Sequence, residues 1–179
     1  MNTFVHLHVH SHYSILDGMS SIDQLVDKAM KTGMPAIALT DHGSMFGIKE
    51  FYNYVKKKNV PVHENIALLQ KQLNNDELSD IQKDEIHKNI ETEKRKLFKP
   101  IIGCETYVAH RSRFSKESQE DRSGYHLILL AKNKTGYRNL CKLISLAWIE
   151  GMYYRPRIDH EILEKYSEGL IASSACLGG

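Results

Sequence analysis

Two rhythms of apolar positions run along this chain. From Phe4 to Val9, apolar residues alternate with His6 and His8, which predicts a strand over residues 3–9. Alternate side chains of a strand face opposite ways, so His6, His8 and His10 are expected on one face and Leu7 and Val9 on the other. The rhythm then turns helical. Ile22, Leu25, Val26 and Ala29 share a face, Ser20 or Ser21 can cap it, and Gly33 can stop it, which predicts a helix over about 22–31. Pro35-Ala36-Ile37-Ala38-Leu39-Thr40 is apolar throughout, as a parallel strand covered on both sides would be. Ser44 then opens a helix through Phe46, Ile48, Phe51, Tyr54 and Val55. Strand, helix, strand, helix in this order implies a parallel α/β sheet or barrel.

Residues 62–98 break that order. They are dense in Gln, Asn, Asp, Glu and Lys, with Ile66, Leu69 and Leu73, then Ile81, Ile86 and Ile90, at helical spacing. Asn74-Asn75-Asp76 divides them, so two amphipathic helices are expected as an inserted hairpin. Such a hairpin is either a peripheral solvated element or an arm that binds a partner. A strand is expected over 100–108, a polar mobile loop over 110–124 and a strand over 126–131. A helix follows over about 135–148. Asp159 caps one more short helix, and residues 169–174 form a final strand. The sequence stops at Gly178-Gly179, just past a strand, where an α/β architecture rarely ends, so a fragment is expected.

Composition adds limits. Hydrophobic content of 41%, charged content of 26% and a net charge of +2 fit a soluble globular domain without an overall basic field. No apolar run approaches the ~20 residues of a membrane span, and no leader is expected. Cys104, Cys141 and Cys176 are odd in number and far apart, which suits a reducing, cytoplasmic setting rather than a disulfide scaffold. The count that stands out is ten histidines.

Parallel α/β folds build their sites at the carboxyl ends of the strands. The ligand-type residues expected there are His8 and His10, Asp17 before Gly18, the run Thr40-Asp41-His42-Gly43, Glu105, and His126. Imidazoles mixed with carboxylates suit zinc, manganese or iron, and several such ions together suit hydrolysis of phosphate esters. Plainer roles exist for each. Asp41 can cap the next helix or orient His42, Asp17 can be a turn residue, and His126 can be a satisfied core histidine. Glu105 lies in an apolar strand, where an unpaired carboxylate is costly, so a metal or basic partner is expected. His63, His87, His110 and His160 lie in polar segments and are expected at the surface.

These residues resemble the motifs of the polymerase and histidinol phosphatase (PHP) family of metal-dependent phosphoesterases: His8-x-His10-Ser11, Asp17-Gly18, Thr40-Asp41-His42-Gly43, Glu105 and His126. More narrowly, the chain resembles the N-terminal PHP domains of bacterial replicative DNA polymerase III alpha subunits. That likeness rests on Phe4-Val5-His6-Leu7-His8, Ser14-Ile15-Leu16-Asp17-Gly18, Phe46-Gly47, Phe51-Tyr52, Gly136-Tyr137-Arg138-Asn139-Leu140, Tyr154-Arg155-Pro156-Arg157-Ile158-Asp159 and Glu168-Gly169-Leu170-Ile171-Ala172. It covers nearly everything except residues 62–98.

The resemblance implies a distorted, TIM-like (β/α)7 barrel, here truncated at its C-terminal side. Residues 1–179 would be one incomplete PHP domain carrying the hairpin at about 62–98. It implies up to three divalent ions in the complete domain, held by His8, His10, Asp17, His42, Glu105 and His126. His8, His10, His42 and Glu105 would carry the chemistry, and His6 and His12 would have no metal role. The implied activity is that of a 3′–5′ exonuclease or a pyrophosphatase within an enzyme of DNA-directed DNA synthesis. The implied partners are DNA, through that polymerase, and the other holoenzyme subunits. A metal-free scaffold and a stand-alone PHP phosphatase are the alternatives. The family's later histidine and Asp-x-His motif have no counterpart after His126, where His160 is the sole histidine. Fewer metals, no activity of the piece alone, and self-association through an open sheet edge are therefore expected.

Overall fold

Residues 4–75 and 78–177 are described by a computed structural model of the chain. Asp76, Gly178 and Gly179 lie outside the described residues. The elements run α1 (Ile22–Lys31), β1 (Ala36–Leu39), α2 (Ile48–Leu73), α3 (Asp80–Lys94), β2 (Lys99–Val108), β3 (Tyr125–Ala131), α4 (Lys134–Ile149), β4 (Met152–Tyr153), β5 (Arg155–Ile158), α5 (His160–Lys165) and β6 (Leu170–Ser174).

The long strand β2 organises the sheet. Along one edge it pairs in parallel with β1, from Ala36 opposite Lys99 to Leu39 opposite Ile102. It continues through a single parallel bridge between His42 and Glu105, then pairs with β5 at Tyr107 and Val108. Along the other edge β3 pairs with β2 antiparallel, and β6 pairs antiparallel with β3. The expected all-parallel order is therefore corrected to a mixed sheet. Residues 109–124 carry no crossover helix, and a strand that returns without one must run antiparallel. Among the described residues the sheet is open rather than closed into a barrel.

Two apolar layers flank β2. Ile22, Val26 and Ala29 of α1 meet Ile37 and Leu39 of β1 and Phe51 and Val55 of α2. Leu140, Leu143, Ile144 and Ala147 of α4 cover Cys104, Val108, Leu129 and Ile158. Ser21 does cap α1, and Gln24 Oε1 accepts from its backbone N–H at 3.2 Å.

Of the strand expected over residues 3–9, Thr3 lies outside the described residues, and residues 4–9 form no strand. His6 O accepts from Ala38 N and Val9 O from Thr40 N, both at 2.9 Å. Three residues of this segment thus advance against two of β1, and the extra one breaks the alternation. His6 leaves the shared face and packs edge-on against Phe4, with ring centres 4.7 Å apart. His8 and His10 turn toward Glu105 instead.

The second helix also differs from expectation. It starts at Ile48 rather than Ser44 and runs unbroken to Leu73, with Pro61 inside it. An interior proline costs a helix about 3 kcal/mol. A buried stripe of Phe51, Val55, Asn59 and Ile66 crosses Pro61 and offsets this. Asn59 anchors the stripe, since its Nδ2 donates to Phe98 O at 2.9 Å and its Oδ1 accepts from Phe98 N at 3.0 Å. Asn59→Ala would orphan both buried backbone groups and should cost about 1–3 kcal/mol in urea unfolding. A change below 0.5 kcal/mol or so would show that water replaces the amide. The hairpin of α2 and α3 reaches into solvent, and Ile81, expected on the packed face of α3, is exposed.

Residues 110–124 are held rather than loose. Arg111 pairs with Asp121 at 2.6 Å, and Arg157 NH2 donates to Arg113 O at 3.0 Å and Ser115 O at 2.9 Å. No helix among the described residues is long and apolar enough to cross a membrane.

Candidate metal centre

Local chemistry fixes the segments that carry the expected ligands. Val9 N donates to Thr40 Oγ1 at 2.8 Å, which ties the first segment to the end of β1. Asp41 is buried and accepts from Ser11 N at 2.7 Å and from Ser11 Oγ and Ser14 Oγ at 2.8 Å. It is therefore neither a helix cap nor the partner of the His42 ring, the two roles open to it from sequence. It fastens the turn that follows His10. That turn closes at Gly18, where a Cβ would lie 1.8 Å from Ser11 O, so no other residue fits. Closing it presents Asp17 to His42, with Oδ2 at 2.8 Å from Nε2. Gly43, at φ 55°, lets the backbone turn away directly after His42.

All six expected ligands converge. Glu105 is 0% exposed. Its Oε2 lies 2.6 Å from His8 Nε2, 2.9 Å from His10 Nε2 and 3.5 Å from His42 Nδ1. The two Nε2 atoms are 3.0 Å apart. Its Oε1 faces the other way, 2.5 Å from His126 Nδ1. The rings of His10 and His42 stack at 4.1 Å. The carboxylate thus stands between two sets of imidazoles.

Electrostatics match this placement. Burial alone would raise the Glu105 carboxyl, but hydrogen bonds from His10 and His8 and the charges of His42 and His8 hold it at about 2. It is an anion at neutral pH. Burial disfavours the charged form of His10, yet the hydrogen bond and charge of Glu105 outweigh that and raise it. The hydrogen bond from His42 lowers Asp17.

The donor set fits divalent cations. His8 Nε2, His10 Nε2 and Glu105 Oε2 form a compact triangle, and neighbouring donors around an ion bound at 2.0–2.1 Å are also roughly 3 Å apart. His42 Nδ1 and Glu105 Oε1 are buried with no hydrogen-bond partner among the described residues. Glu105 Oε1 does sit close to His126, but not in hydrogen-bond geometry. Buried orphan atoms aimed into such a cluster are what a cation would satisfy.

One residue of the cluster was missed from sequence. Cys176 Sγ lies 3.4 Å from His126 Nδ1, and Glu105, His126 and Cys176 form a second group of ligand atoms within mutual reach. Cys176 follows β6, so the strand-end rule that selected the others could have selected it.

The structure is thus an open α/β scaffold whose buried carboxylate gathers imidazoles from three separate segments. The chain belongs to the PHP domain family, whose model matches residues 6–179. Its curated relatives include DNA polymerase III subunit alpha of Borreliella burgdorferi, 45% identical over 177 residues, covering 98% of this chain and 12% of that one. The Treponema pallidum protein of that description is 45% identical over 178 residues, 99% of this chain and 12% of the relative. That of Aquifex aeolicus is 40% identical over 182 residues, 98% and 12% respectively. The chain therefore spans about an eighth of the length of these relatives.

Proposed function

We propose that this chain is the PHP domain of a replicative DNA polymerase III alpha subunit, and that the cluster around Glu105 is a metal-dependent phosphoesterase site. Its reaction would be 3′–5′ exonuclease or pyrophosphatase chemistry. The observation that carries this reading is Glu105 itself, fully buried, with its two oxygens facing two separate imidazole sets. His8, His10, His42 and Asp17 would hold zinc, manganese or iron on one side, and His126 with Cys176 on the other. Ions bound there supply an acidified water and neutralise phosphate oxygens. Glu105, already ionised at neutral pH, needs no proton removed before it ligates. Asp17 holds the His42 ring in place, and the stack on His10 fixes its plane.

In this reading the parent enzyme performs DNA-directed DNA synthesis in the cytoplasm, with DNA and the other holoenzyme subunits as partners. The open sheet is the first part of a distorted (β/α)7 barrel. The outward faces of β6, exposed along most of its length, are the surface that further strands would cover.

The test is metal content by mass spectrometry, with release of nucleotides from 3′-labelled single-stranded DNA read on the full-length protein. Zinc, manganese or iron should co-purify with the chain. His8→Ala should weaken metal binding by at least about a hundredfold with the circular-dichroism spectrum unchanged. A protein that takes up no metal even after reconstitution has a structural imidazole–carboxylate cluster instead, and the domain is then a scaffold.

A further inference from the structure

We propose that the cleft beside the metal centre is a nucleotide subsite: it takes the end of a single-stranded nucleic acid, the base on Phe46 and Trp148 and a phosphate on Arg155. This rests on the phosphoesterase reading only for what happens to the bound strand. The cleft has a volume of about 430 Å³ and shares His42 with the metal centre, and Phe46, Trp148, Arg155, Ile15 and Leu16 are among its other lining residues. That volume lies in the roughly 300–1,000 Å³ range of small-molecule sites.

Its aromatic wall is exposed and preset. Phe46 is 67% and Trp148 42% exposed, with ring centres 6.1 Å apart. Rings of this size gain most when covered, so two beside a polar centre mark a platform. Trp148 cannot drift, because its Nε1–H donates at 2.8 Å to the carbonyl of Gly43, the residue after His42. The indole is thus held in register with an expected metal ligand.

Arg155 supplies the charge. Its guanidinium sits 5.5 Å over the ring of Tyr107. That ring in turn lies against His42 at 6.1 Å and His126 at 5.0 Å. Arg111 and Arg113 are both consumed by carboxylates, whereas Arg155 is exposed and has no ion pair among the described residues. An unpaired, stacked arginine at the mouth of an imidazole cluster matches a phosphate group. Pyrophosphate would use the arginine and leave the aromatic wall bare. A nucleotide uses both, and stacking tolerates any base. The subsite therefore selects a nucleic-acid strand end as the substrate class.

Trp148 is the single tryptophan of the chain, so its emission reports the subsite directly. Short oligothymidylate and oligouridylate are titrated in EDTA, which removes any dependence on metal. Saturable quenching by either strand is expected, and inorganic pyrophosphate should leave the emission unchanged. Phe46→Ala and Arg155→Gln should each raise the apparent Kd about tenfold. Both side chains are exposed, and circular dichroism checks each variant, so either one suffices if the other fails to fold. Quenching by neither strand, equal quenching by pyrophosphate, or affinities unchanged in the folded variants overturns the subsite. Quenching by a chain that takes up no metal even after reconstitution overturns the phosphoesterase reading and leaves the subsite standing.

Discussion

Glu105→Gln should strip the chain of bound metal while leaving it folded. Glutamine keeps the volume and one carbonyl oxygen in a position that is 0% exposed, so packing against neighbouring strands survives. It removes the anion. Glu105 is the group common to both clusters of ligand atoms, and no other carboxylate in them is buried. A divalent charge would then keep, among the expected carboxylate ligands, only the exposed Asp17 as its counter-charge. The loss in metal affinity should exceed the roughly 10–100-fold typical of outer partners. The metal-free variant should lose only about 1–3 kcal/mol, since the amide still offers hydrogen bonds to the histidines. Metal analysis and melting curves with and without EDTA read both quantities. A variant that retains metal would show that the imidazoles suffice. A variant that no longer folds would make Glu105 a structural residue first.

Much of this centre is legible in the sequence even where the surrounding elements are not. His8-x-His10, Asp17-Gly18 and Asp41-His42-Gly43 sit in short turns shaped by their own serines, glycines and carboxylates, so their placement does not depend on a regular strand. Helix α1 spans the expected residues, with Ser21 of the two candidate serines as its cap, because its cap, period and stop are all local. The failures involve distant partners. Pro61 argues locally for a helix break, and the stripe that overrides it is anchored by Phe98, 39 residues away. The charges of residues 110–124 look solvated because the carboxylates that take up Arg113 lie 37 to 48 residues further on. The antiparallel return of β3 carries no sequence signal, since a continuous apolar strand reads alike in either direction.

The network around Arg113 should dominate stability. Arg113 is buried; its Nε donates to Glu150 at 2.7 Å, and its NH1 to Asp159 at 3.0 and 3.1 Å and to Glu161 at 2.9 Å. Asp159 also accepts from Arg113 N at 3.0 Å and caps α5 by accepting from Ile162 N at 3.2 Å. Asp159→Ala leaves Arg113 only the more exposed Glu150 and Glu161, orphans the Arg113 N–H and uncaps α5, so it should cost about 3 kcal/mol. The pH dependence fixes the cause. Burial would raise the Asp159 carboxyl, but the N–H groups of Arg113 and Ile162 and the guanidinium charge lower it overall. A lowered folded pKa gives stability that is present above the unfolded value of about 3.9 and is lost as pH falls through the folded one. The gap between wild type and Asp159→Asn should therefore be wide at neutral pH and narrow in acid, measured by urea unfolding. An equal gap at both would assign the effect to packing. The consequence reaches the site. Arg157 of β5 holds the backbone of Arg113 and Ser115, and β5 also begins with Arg155 at the cleft. Loosening Asp159 should therefore weaken strand-end binding as well as the fold.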